Sequence, residues 1–95
     1  MSDKNKSNES VNAYLKESGI SSGGATINDL REREYSGKSL SKMEKLALAN
    51  FDKFRITELN KPMDDITFHK RYSELQIMAN LGNYDEFLKE KYSNL

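Results

Sequence analysis

The chain has no cysteine and no tryptophan, and only a single proline and a single histidine. Without cysteine, neither disulfides nor thiolate metal sites can supplement a small core, and nothing reports the redox compartment. With one histidine, nucleophilic catalysis would have to combine an isolated serine with one distant imidazole, and no Gly-x-Ser-x-Gly elbow is present. Long apolar runs are missing as well. The longest is Leu46 to Ala49, far short of the ~20 residues a membrane span needs, and the Lys-, Asn- and Ser-rich start carries no apolar signal stretch. The expectation is a cytoplasmic chain with no membrane partner. Charge of one sign is absent too: fifteen Lys and Arg balance fifteen Asp and Glu. No whole-chain field draws nucleic acid, an anionic membrane or an acidic substrate, so any electrostatic function must be local.

What is present is 36% hydrophobic and 32% charged over 95 residues, poorer in apolar material and richer in charge than an average globular chain. The core is therefore small, and a folded body of about 70 residues has few kcal/mol to spare. Help from a protein partner or from self-association is expected.

Residues 1–10 hold a single apolar side chain, Met1, which cannot offset the entropy of ordering them. Val11, Tyr14 and Leu15 then recur at helical spacing between Ser10 and Gly19, enough for one short helix over about 11–18. Ser21-Ser22-Gly23-Gly24 reads as a flexible joint. The implied organisation is a polar N-terminal arm over 1–25 and a helical domain over 26–95.

In the body, Thr26 and Asp29 resemble a capping box that opens a helix over 27–36, and Gly37 stops it. Ser41 and Glu44 form a cleaner box that opens a helix over 41–60, ended by Lys61-Pro62. On that helix Met43, Ala47, Phe51 and Phe54 fall within about 80° of one another as a core seam. Asp64 or Asp65 caps a helix over 65–81, with one apolar stripe at Phe68, Tyr72, Leu75 and Ala79 and a second at Ile66, Ile77 and Leu81. Asn83 with Glu86 opens a last helix over 84–93 that buries Tyr84, Phe87, Leu88 and Tyr92. Nothing alternates with period two, so the fold class is all-α, a small bundle of three to four helices. Phe51, Phe54, Phe68, Tyr72, Phe87 and Tyr92 are expected to fill its core.

Chemistry is thin. Gly37-Lys38-Ser39 matches the end of a phosphate-binding loop but lacks the earlier glycine and the preceding strand, so it reads as a helix stop and restart. His69 has Asp65 one turn before it, and two ligands do not make a metal site. No catalytic residues, metal, cofactor or small-molecule substrate are therefore expected. The expected function is that of a non-enzymatic binding or structural protein, docking into a larger assembly or self-associating, with Val11, Tyr14 and Leu15 as anchors. The high Asn and Lys content fits an AT-rich genome and a phage or mobile-element component, which would make the chain virion-associated. The alternative is a nucleic-acid-associated regulator that uses Lys42, Lys45 and Lys53, a basic ridge on the back of the long helix. The tight turn before the last helix is a poor match to a DNA-reading helix-turn-helix, because Asp85 and Glu86 would repel phosphates.

Overall fold

The computed structural model describes residues 13–94. The body is built from α1 (Ile27–Tyr35), α2 (Lys42–Leu59), α3 (Asp65–Leu81), a 3-10 helix (Tyr84–Leu88) and a short α4 (Glu90–Ser93), preceded by a helical segment over residues 13–17. Among the described residues there is no sheet, only two isolated antiparallel bridges, Ser22 with Gly82 and Thr26 with Asn83. The chain is an all-α bundle.

The starts of the three main helices follow from their caps. Thr26 accepts from the Asp29 amide while the Asp29 carboxylate takes the Thr26 amide; Ser41 and Glu44 do the same. Asp64 accepts from the Thr67 amide at 2.7 Å. Each satisfies backbone donors that a first helical turn leaves unpaired. Helices α1 and α2 are one or two residues shorter than their sequence patterns suggest, within the usual fraying of helix ends.

The last helix departs from expectation. Asn83 makes no side-chain cap; its amide oxygen instead accepts the Gly24 N–H, and Glu86 accepts the Ser21 N–H at 2.9 Å. The Phe87 carbonyl, which a continuous α-helix would pair four residues on, accepts instead from the buried Asn50 side chain at 2.7 Å. Lys89 is extended (φ −66°, ψ 151°), and the segment divides into a 3-10 turn and four residues of α-helix. The residues that read as a helix-opening box thus form a clip for the segment before α1.

That clip removes the independence expected of residues 13–25. The helical segment over 13–17 ends with the Gly19 amide on the Lys16 carbonyl and the Ile20 amide on the Leu15 carbonyl, with Gly19 at φ 68°. This is a Schellman ending, whose flanking apolar residues pack together. Those residues are Leu15 and Ile20, both buried in the main core with Ile27, Leu30, Ala47, Phe51, Leu75, Met78 and Phe87. The Asn83 amide donates to Ser21 and the Tyr84 amide to Ala25, 2.8 Å each. Gly82 is needed for close approach: a Cβ there would lie 2.8 Å from Ile20 and 2.9 Å from the Met78 carbonyl. The serine-glycine stretch is a crossing point, and the core borrows apolar groups from beyond it because the body has too few of its own.

The aromatic core is smaller than the sequence suggests. Phe51 meets Phe87 edge-on with centroids 4.9 Å apart, and Tyr92 packs on Phe87 and Phe54 at 5.0 Å. Phe68 is half-buried, and Tyr72 and Met43 are exposed, so neither of the latter belongs to the core seam. The second stripe on α3 is largely uncovered: Ile66 and Leu81 are exposed and only Ile77 packs against the core.

If Leu15 is a core residue, Leu15→Ala lowers the unfolding free energy by about 2–5 kcal/mol, the range for emptying a buried leucine site. Urea denaturation followed by circular dichroism measures this, and a loss below about 0.5 kcal/mol would place Leu15 outside the core.

Candidate functional site

A concavity lies where α1, α2 and α3 converge. It is an open groove of about 440 Å³, lined by Asn28 and Arg31 of α1, Phe51 and Arg55 of α2, and Tyr72, Leu75, Gln76, Ala79 and Asn80 of α3. Its floor is apolar because Phe51, Leu75 and Ala79 are the inward-facing residues of their helices. Its rim is polar because the next positions around each helix face water.

The rim is held by side-chain pairs. Asn28 hydrogen-bonds Asn80, joining α1 to α3, and Arg31 pairs with Asp52, joining α1 to α2. The Arg31 guanidinium also lies 5.8 Å from the Phe51 ring centroid, within cation–π range. Arg55 reaches Asp52 at 3.8 Å, but its Nε is buried and has no hydrogen-bond partner among the described residues. Two guanidiniums therefore share one carboxylate, and the rim carries an excess of positive charge with an N–H directed at no acceptor. An unpaired buried donor costs about 1–3 kcal/mol.

A second cluster ties α2 to α3 nearer the loop that joins them. The Arg71 Nε and Nη2 both donate to Glu58 Oε1, at 3.0 and 2.7 Å, its Nη1 donates to Glu74 at 3.2 Å, and Lys61 also pairs with Glu58. The guanidinium sits 5.6 Å from the Phe54 centroid. Burial alone would raise the Glu58 carboxyl, but the hydrogen bonds and charges of Lys61 and Arg71 outweigh it and hold the pKa below its ordinary 4.5. Glu86 behaves alike: burial raises it, and Lys89 with the Ser21 amide lowers it by more.

The anchors and the basic ridge expected from the sequence fall elsewhere. Leu15 is buried and Tyr14 half-buried against the core, so neither projects as a free anchor; Val11 lies outside the described residues. Lys42, Lys45 and Lys53 are all exposed on the outer face of α2, and none is in an ion pair among the described residues. Exposed Leu46, Ala49 and Ile56 lie between them, so the face mixes aliphatic and basic groups. Lys38 borders a shallow depression of about 230 Å³ whose walls include Asp29 and Glu32, carboxylates that would repel a phosphate. His69 is exposed, with its ring centroid 5.9 Å from that of Phe68, and no hydrogen bond joins it to Asp65. No three His, Asp or Glu side chains converge among the described residues, and no helix there is long and apolar enough to cross a membrane.

Sequence reasoning did not find the groove. Arg31, Arg55 and Gln76 have no spacing motif in common, and only the packing of three helices brings them together. The available signal was Tyr72 followed by Gln76 and Asn80, a polar row beside an apolar one on α3, which marks a lip rather than a buried face.

Compared with protein-family models, curated proteins and solved structures, the chain gives no match.

Because both depressed carboxylates are charged partners in the fold, their stabilisation is present above the ordinary carboxylate pKa of 4.5 and is lost as pH falls through the lower folded values. The thermal midpoint should stay level from pH 7 to about 5 and drop below that. Glu58→Gln should lower the plateau and make the acid limb shallower; an unchanged acid limb would show that Glu58 is not a linked group.

Proposed function

We propose that the chain is a non-enzymatic binding protein that docks onto a protein partner through the groove between α1, α2 and α3. The observation that carries this reading is an open groove between three helices whose rim carries Arg31 and Arg55, two guanidiniums that share the single carboxylate of Asp52. Arginine and tyrosine are the residues that most often dominate protein interfaces, particularly beside a pocket that excludes water. A carboxylate on the partner pairs with the half-exposed guanidiniums of Arg31 and Arg55 at the rim. The small core supports the same reading, since a body with few apolar residues gains stability from what it binds. Docking into a larger assembly, including that of a phage or mobile element, uses such a surface without catalysis.

A second reading has its own support. Lys42, Lys45 and Lys53, in no ion pair among the described residues, form a basic face on an 18-residue helix, and such a face binds phosphates with steep salt dependence. Leu46, Ala49 and Ile56 within it weigh toward a protein surface instead.

Two variants separate the readings. Gln76→Trp fills the groove from its rim, and a Lys42→Glu, Lys45→Glu, Lys53→Glu triple variant reverses the outer face. Affinity capture from native extract, compared by mass spectrometry, should lose its specific proteins with Gln76→Trp and keep them with the triple variant. Identical capture by Gln76→Trp and the native chain would rule out the groove. Fluorescence anisotropy with labelled duplex and single-stranded oligonucleotides at about 50 and 200 mM salt tests the second reading; absence of binding at the lower salt would end it.

A further inference from the structure

The segment before α1 crosses the surface as a strap. Ser21, Ser22, Gly23 and Gly24 are exposed, while Leu15 and Ile20, on either side of Gly19, are buried. Between Ser21 and Ala25 four hydrogen bonds hold the strap, and each engages its backbone. The Ser21 amide donates to the Glu86 carboxylate at 2.9 Å and the Gly24 amide to Asn83 Oδ1; the Ser21 and Ala25 carbonyls accept from the Asn83 and Tyr84 amides at 2.8 Å each. Two antiparallel bridges, Ser22 with Gly82 and Thr26 with Asn83, lie along the same crossing. Main-chain bonds combined with pockets for a few side chains are how folded surfaces bind extended peptides.

The structure also shows which side chains such a peptide needs. Gly82 leaves a notch for an isoleucine, since a Cβ there would lie 2.8 Å from Ile20 Cγ2. At Gly24 a Cβ would lie 2.8 Å from Asn83 Oδ1, which could retreat only by giving up the Gly24 amide. The site therefore takes an isoleucine and, four positions on, a glycine, and holds the stretch between them through its backbone. The strap's own grip is limited: it rests on two buried side chains and on bonds at or near the surface, the features of a segment that opens before the rest of a fold.

We propose that the turn Gly82–Glu86 after α3 is a peptide-binding site whose resident ligand is the chain's own strap. The strap detaches as a unit, and an extended segment of another protein with the same isoleucine–glycine pattern takes its place. The residues of this turn line no part of the groove between α1, α2 and α3, so the two surfaces are independent.

A ligand tethered in cis competes at an effective concentration of about millimolar, so a labelled peptide of residues 13–25 should bind the native chain at least roughly tenfold more weakly than a chain whose strap cannot dock. The full chain with Leu15→Ser and Ile20→Ser supplies that comparison. Fluorescence anisotropy should show saturable binding of the peptide to this variant, and Ile20→Ser or Gly24→Ala in the peptide should each weaken it at least several-fold. Equal binding to both chains, equal binding of the three peptides, or no binding below about 1 mM to a variant that circular dichroism shows to be helical overturns the proposal. If the variant does not fold, hydrogen exchange of the native chain decides. The Ser21, Gly24, Asn83 and Tyr84 amides should exchange through one shared opening, at least roughly tenfold faster than Leu48 and Phe51 in α2, and Glu86→Gln should speed them further without changing α2. Exchange of the strap amides only at the α2 rate, through global unfolding, overturns it.

Discussion

The architecture turns on a buried carboxylate. Glu86 is 4% exposed, and it keeps its charge because the Ser21 amide and the Lys89 ammonium both bind it. A buried ion is costly unless it is paired, and removing one partner of such a pair is more damaging than replacing both. The contact does more than neutralise a charge. It holds the segment before α1 against the turn after α3, so that Leu15 and Ile20 complete a core that α1, α2 and α3 leave open. The low apolar content makes this necessary: with so few large side chains, the interior is assembled from both ends of the described chain.

The three main helices were legible in the sequence because their signals are local. Thr26 with Asp29 and Ser41 with Glu44 act within one turn of the helices they open, and the apolar spacing of α2 and α3 reports a buried stripe whatever lies opposite. The same local rule failed at Asn83 and Glu86. Their spacing satisfies a capping box, but the backbone of residues 21–24 competes for both side chains and wins. Tyr72 and Met43 failed for a related reason, since periodicity shows which side of a helix faces inward but not how far the neighbouring helix extends along it. The ridge of Lys42, Lys45 and Lys53 was legible as an exposed face, while the aliphatic residues interspersed within it alter its chemistry.

The groove illustrates the limit most clearly. Arg31 and Arg55 belong to different helices, and their proximity to a single carboxylate, Asp52, arises only when α1 packs across α2. The Arg71, Glu58 and Glu74 cluster ties α2 to α3 nearer their connecting loop, so the groove lies between helices that side-chain pairs join.

The link between Ser21 and Glu86 spans 65 residues and has a consequence for synthesis. During translation Leu15 and Ile20 are made well before the turn that receives them, since Glu86 follows Ser21 by 65 residues. For most of that interval two greasy side chains have no native shelter, and closing so long a loop is slow compared with forming any single helix. Nascent chains of this protein therefore pass through a stage in which chaperones, or neighbouring nascent copies, have access to a patch that the finished molecule hides.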